Sequence, residues 1–203
     1  MADSSADATP DEDHGTDRRV PAWAAPGGSG YVPDADGYYP PHRDDCFGCG
    51  PTNDAGLQIK VSADPDWVGD GVGLVCRYRF PERFVGGPGV VHGGAISAVL
   101  DDVLGTVPMA NGAMCVTGRL TVTYRRPVLV GHEVVIRAWL DGRRGRKLTV
   151  KGEMYDSLDR VLAQGEATMI EIVEGHFNRV AADLPPEEVP DDFKPFMAGE
   201  NYP

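Results

Sequence analysis

The 203-residue sequence predicts an α+β domain in which one apolar helix packs against a sheet of long antiparallel strands. Three observations carry this: a single stretch of helical period at 93–109, four long strand-like segments after it, and short turn-like connections between those segments. Between 93 and 109, Ile96, Val99, Leu100, Val103, Leu104 and Val107 recur at helical spacing, after a glycine-rich approach and before Asn111-Gly112. With Ala95, Ala98 and Gly105 they cover most of the circumference, the pattern of a helix wrapped by other structure.

The strands follow from alternation. Residues 56–61 set Leu57, Ile59 and Val61 against Gln58 and Lys60, and residues 72–80 alternate Val72, Leu74, Cys76, Tyr78 and Phe80 with smaller or basic residues. After the helix, 114–125, 132–140, 147–156 and 161–172 are rich in Val, Ile, Thr and Tyr. Residues 141–145 and 156–159 read as hairpin turns.

Composition divides the chain into an acidic, Pro/Gly-rich tail (1–45), a core (46–173) and a Pro-rich acidic tail (174–203). The first 30 residues hold few large apolar side chains, too few to offset their ordering entropy, and are expected to be disordered or extended. In the last segment Phe193, Phe196, Met197 and Tyr202 are candidates to drape over a groove. The net charge of −12 argues against nucleic acid as a partner, because phosphates would be repelled without a concentrated basic face. No apolar run approaches membrane-spanning length, so neither a membrane nor a secretory segment is expected, and the location is read as cytoplasmic. Four cysteines make no disulfide framework, which fits a reducing compartment. Cys46-Phe47-Gly48-Cys49, with His42 four residues earlier, has half of a zinc pattern but lacks a second ligand pair, so it is read as a turn packing Phe47 beneath the sheet, with no metal.

Several ordered strings point to one family: CFGCGPTNDAGLQI at 46–59, GPGVVHGGAISAVLDDVLG at 87–105, VTGRLTVTYRRPV at 116–128, GRKLTVKGEMYD at 145–156 and LAQGEATMIEI at 162–172. Together they resemble the hotdog-fold acyl-coenzyme A thioesterases, in particular the phenylacetate-pathway branch and the thioesterase-superfamily members of mammals. His-Gly-Gly with an acid nine residues on and a downstream Tyr-x-Arg-Pro makes the match specific. The resemblance implies a curved antiparallel sheet of five to six strands around one long helix. It also implies a homodimer or dimer of dimers with sites at the subunit junction, and hydrolysis of acyl-CoA to acid and free CoA.

Thioester hydrolysis needs a nucleophile or positioned water and a donor for the developing oxyanion. Free N–H groups at the helix start suit a negative oxygen, and Gly93, with no side chain, lets a carbonyl approach. By resemblance Gly93 is that donor and Asp101 the nucleophile or general base. Asp102 is expected at solvent or an interface. Thr117 matches a Ser or Thr that orients the water or carboxylate, and His92 shapes the site. Some relatives carry Asn or Gln six residues before the His, where this chain has Gly86.

Thr123, Arg125, Arg146 and Lys147 match coenzyme A contacts, and the clusters Arg125-Arg126 and 143–147 suit its phosphates. An acyl carrier protein is an alternative substrate carrier for the same basic patch. Val99, Val103, Met109 and Met114 are candidates for the acyl pocket. No cofactor is expected beyond coenzyme A as part of the substrate. Two other readings stay open. A hotdog hydratase or dehydratase would use His92 with Asp101, though the chain lacks the Asp-x4-His string. A noncatalytic acyl-thioester binder would in its transcriptional form carry an added helix-turn-helix, for which the N-terminal tail is too rich in Pro and Gly.

Overall fold

The computed structural model describes residues 31–172 and 178–189. In chain order the elements are β1 (Ser62–Ala63), β2 (Leu74–Arg79), β3 (Val85–Gly87), β4 (Val90–Val91), α1 (Gly93–Ala110), β5 (Cys115–Tyr124), β6 (Glu133–Arg144), β7 (Lys147–Tyr155), β8 (Val161–Glu171) and α2 (Asn178–Ala182). Six strands form one antiparallel sheet in the order β1-β2-β6-β7-β8-β5, and β3 and β4 form a small hairpin that delivers the chain to α1. The expected α+β architecture, one long helix on an antiparallel sheet, is the one observed.

Helix α1 begins at a weak sequence, two glycines, and owes its stability to burial rather than propensity. Ile96, Val99, Leu100, Val103, Leu104, Thr106, Val107 and Pro108 are all buried, against strands drawn from both halves of the sheet. Val99 and Val103, candidates for the acyl pocket, are wholly enclosed in this core, so they build the scaffold rather than line a cleft. Leu104 sits in a notch made by two glycines, Gly152 on β7 and Gly165 on β8, which face each other across the ladder. A Cβ on Gly152 would lie 2.8 Å from Leu104 Cδ1. The helix ends at Asn111, whose side chain donates to Val107 O and Val72 O and accepts from Val72 N, tying the helix end to the entry of β2.

Alternation predicted the burial of 56–61 correctly but not its pairing. Leu57, Ile59 and Val61 are buried, yet only Ser62–Ala63 joins the sheet. Leu57 N and Ile59 N donate instead to Phe47 O and Gly48 O, because the loop at 46–50 lies alongside. Residues 141–144, expected as a turn, continue β6; an irregularity after Leu140 absorbs one residue and the reversal falls at Gly145, with φ of 57°. The turn at 156–159 is as expected, with Asp156 Oδ1 accepting from Leu158 N and Arg160 N.

The folded unit starts before Cys46. Tyr38 bridges to Ser62, Tyr39 N donates to Val61 O, and the Tyr31 and Tyr39 rings stack with centroids 5.3 Å apart. Residues 1–30, and Phe193, Phe196, Met197 and Tyr202 of the last segment, lie outside the described residues. No helix among the described residues is long and apolar enough to cross a membrane.

The double-glycine notch yields an expectation. Leu104→Ala should lower unfolding free energy by about 2–5 kcal/mol, because the notch cannot collapse onto the smaller residue. Gly152→Ala should cost about 1–3 kcal/mol through overpacking at the same spot. Chemical denaturation of the two variants measures both.

Candidate active site

The site is built on one face of α1. Gly93, Ser97 and Asp101 are spaced four residues apart, so they stack on a single helical stripe, and that stripe faces β5. At its N-terminal end Tyr124 meets both Gly93 and Ser97. The tyrosine hydroxyl donates to Gly93 O at 2.9 Å and lies 2.6 Å from Ser97 Oγ. Eight residues on, Thr117 Oγ1 donates to Asp101 Oδ1 at 3.0 Å. Neither Ser97 nor Tyr124 was singled out from sequence. The i, i+4, i+8 relation of Gly93, Ser97 and Asp101 was the available signal for Ser97.

Tyr124 and Thr117 share a face of β5 only because of an irregularity. Seven residues separate them, and strict alternation would put them on opposite faces. The register shifts between Thr117, opposite Met169, and Arg119, opposite Thr168, leaving Gly118 as the extra residue of a β-bulge. Thr117 thereby turns to the same side as Leu120, Val122 and Tyr124. Glycine is required at the bulge, since a Cβ there would sit 2.8 Å from Ile170 Cγ1.

His92 is the helix N-cap: its backbone is extended, and its Nδ1 accepts from Gly94 N at 2.9 Å. Its oxygen takes the N–H groups of Ala95 and Ile96. With Gly94, Ala95 and Ile96 committed, the Gly93 N–H has no partner among the described residues, which makes it the free donor at the positive end of the helix dipole. Gly86 is explained by the same corner. The β3–β4 hairpin brings it so close to His92 that a Cβ would fall 2.5 Å from His92 Cα, so an Asn or Gln cannot occupy this position without moving the hairpin.

Asp102, expected at solvent or an interface, turns inward. One residue along a helix is a rotation of about 100°, enough to take it off the Asp101 stripe and into the loop at 42–49. Burial, and secondarily the neighbouring Asp101 charge, push its carboxyl up to about 7. That loop is not packed as the sequence suggested, since Phe47 is 55% exposed while Gly48 is buried against the helix.

The four residues matched to coenzyme A contacts do not meet within one chain. Thr123 stands opposite Gln164 and Arg125 Nε donates to Gln164 Oε1, whereas Lys147 pairs with Ile170. Six residues of β8 separate the two pairs, about 20 Å at strand rise. Arg146 donates through Nε and Nη2 to Glu171 O, and Arg143 holds the buried Glu171 carboxylate through both its oxygens at 2.9 Å. Lys147 is exposed and has no partner among the described residues.

One long helix laid on a six-stranded antiparallel sheet in this order defines a hotdog fold. Residues 88–163 match the family model described as "Thioesterase superfamily". The mouse protein named acyl-coenzyme A thioesterase THEM4 is 37% identical over 85 residues, 42% of this chain and 36% of its own length. Its bovine counterpart is 34% identical over 94 residues, 46% of this chain and 38% of that protein. The matches thus span well under half of these curated relatives. Among solved structures, a thioesterase superfamily protein superposes with a TM-score of 0.56 at 23% identity, covering 63% of this chain and 60% of that one. The E. coli PaaI protein from the phenylacetic acid degradation operon superposes at 0.50 and 17% identity, covering 57% and 80%.

The corner between the hairpin and the helix can be tested directly. Gly86→Asn should destabilise the fold by about 1–3 kcal/mol, because the new side chain has to displace the His92 backbone. A melt against the parent protein checks this; unchanged stability would mean that the hairpin gives way freely.

Proposed function

We propose that this chain hydrolyses acyl-coenzyme A thioesters to free acid and coenzyme A, as a homodimer whose active sites combine Gly93 of one subunit with Asp101 of the other. The observation that carries the reading is the pairing, on one helix, of a free backbone donor at Gly93 with a carboxylate held by Thr117. These are the two elements that acyl transfer from a thioester requires. The curated relatives named as acyl-coenzyme A thioesterases support the substrate class.

The composite arrangement follows from helix geometry. Eight residues at 1.5 Å each separate Gly93 from Asp101 by about 12 Å along the axis. A donor within about 3 Å of the carbonyl oxygen and a carboxylate within about 3 Å of the carbonyl carbon or its attacking water span far less than that. One subunit therefore does not hold both on a single thioester, and a second copy has to supply the complement. The natural join is β5, ten residues long, whose second edge is unpaired among the described residues. Antiparallel pairing of two β5 strands sets the Tyr124 end of one against the Cys115 end of the other. The same operation carries Thr123 and Arg125 to the end of the joined sheet that holds Arg146 and Lys147 of the second copy, a basic surface suited to the phosphates of coenzyme A.

In the reaction the Gly93 N–H polarises the thioester carbonyl and receives the developing oxyanion. Asp101 either attacks the carbonyl carbon, giving a mixed anhydride and releasing the coenzyme A thiolate, or takes a proton from a water that attacks instead. Thr117 orients the Asp101 carboxylate in both routes. Tyr124, by holding Gly93 O and Ser97, keeps the first turn of the helix in position.

Thiol release from short, medium, long and aryl acyl-CoA, with acyl carrier protein thioesters beside them, tests the activity. Asp101→Asn should lower kcat by about 10²–10⁴-fold. Gly93→Pro should lower it by about 10²–10³-fold. Proline is tolerated at the first helical position after the extended His92 backbone, so it removes little beyond the N–H. Mixing the two inactive variants and allowing subunits to exchange should restore activity, since half the sites of a heterodimer then hold both intact groups. A mixture that stays inactive despite exchange would place both groups in one subunit. Lys147→Ala should raise KM for acyl-CoA with little effect on kcat.

A further inference from the structure

The loop at 42–50 and the buried acid of α1 form a constellation that thioester hydrolysis does not use. His42, Cys46, Cys49 and Asp102 bring one donor atom each to within 4.8 Å of one another. Cys49 Sγ lies 3.0 Å from His42 Nδ1. The loop is turned as a metal knuckle is turned: Gly48 N donates to Cys46 Sγ at 3.2 Å and Gly50 N to Cys46 O at 3.0 Å, aiming both sulfurs to one side. Asp102 reaches them from the helix across Gly48, where a Cβ would lie 1.8 Å from Asp102 Oδ1, so only glycine admits the carboxylate.

The second observation is an unexplained buried group. Asp102 Oδ2 is buried without a hydrogen-bond partner, and among the described residues no Lys or Arg is paired with it. A buried carboxylate oxygen with neither a donor nor a cation is unusual in a folded protein. Within 4.8 Å of this carboxylate lie two thiols and an imidazole, which become metal ligands on losing their protons.

We infer that His42, Cys46, Cys49 and Asp102 form a structural zinc site that fastens the loop at 42–50 to α1. Four protein donors match the closed tetrahedral coordination of structural zinc, and Cys-x2-Cys is a spacing such sites use. Two sulfurs and one ring nitrogen select a borderline-soft ion over magnesium or calcium, which prefer oxygen. Zinc bonds of about 2.0–2.3 Å at tetrahedral angles put ligand atoms about 3.3–3.8 Å apart. The cluster, now within 4.8 Å, therefore needs to contract by no more than about 1.5 Å, within the reach of small side-chain rotations on a loop. With no position left for water, the ion takes no part in the thioester chemistry. It fixes the residue next to Asp101, and so the angle at which the stripe of Gly93, Ser97 and Asp101 meets β5.

Sequence alone stops short of this site because the fourth ligand comes from a helix more than fifty residues away from Cys49.

The test uses the full chain, without a histidine tag and under reducing conditions. Elemental analysis should find zinc in a one-to-one ratio with the chain. Cobalt(II) supplied to the metal-free protein should give a thiolate-to-cobalt charge-transfer band and the intense visible bands of a tetrahedral site. Chelation of the native protein should lower its melting temperature, and zinc should restore it. Asp102→Asn should retain the thiolate band but bind cobalt at least about tenfold more weakly. Cys49→Ser should lose the band; if that variant does not fold, the cobalt spectrum of the parent chain still decides. The inference is overturned if the reduced protein carries no zinc and develops no thiolate band with cobalt, or if Cys46 and Cys49 form a disulfide whose reduced form binds neither ion. Each readout is independent of catalysis, so a failed thioesterase assay leaves it standing, and the reverse.

Discussion

The packing of α1 onto the sheet is the contact on which everything else depends. A helix that opens with two glycines and carries a proline near its end has little intrinsic stability, and burial of its apolar residues holds it. Leu104 in the notch of Gly152 and Gly165 sets the depth at which the helix lies. At that depth Thr117 reaches Asp101, and Tyr124 reaches both Gly93 and Ser97. The site is thus a consequence of the core, since a helix shifted by one turn would present other residues to β5.

Two adjacent acids on that helix show how much one step of rotation matters. Asp101 points to β5, half-buried, and accepts a hydrogen bond from Thr117. Asp102 points into the 42–50 loop, where burial holds its carboxyl well above the usual range. The same side chain, in the same chain and one residue apart, faces a strand in one place and a loop in the other. A change in the loop at 42–50 therefore acts on the site through the helix rather than through the substrate.

Glycine marks the points where backbone meets backbone or side chain. Gly86 against His92 shapes the helix entry, Gly118 makes the bulge that turns Thr117 inward, and Gly48 admits Asp102. None of these carries chemistry, yet each decides where a functional side chain goes. In the basic hairpin charge misleads instead. Arg143 and Arg146 are occupied by Glu171, which leaves less of the cluster for phosphate than its composition suggests.

The helix and the long strands were legible because each is written in local spacing, 3.6 residues for a helix and two for a strand, whereas Gly93 and Asp101 were singled out by resemblance. The same local rules failed where a segment pairs outside the sheet, as at 57–61, and where an extra residue reverses the faces of a strand, as at Gly118. They are silent about which acid turns inward, because that depends on the rotation of α1 against a sheet whose strands come from distant parts of the chain. The sequence by itself determined the helix and the long strands that follow it. Only the tertiary structure decided that Thr117 meets Asp101, that Tyr124 meets Gly93 and Ser97, and that Asp102 meets His42, Cys46 and Cys49. These are contacts between residues remote in sequence, which no local periodicity encodes.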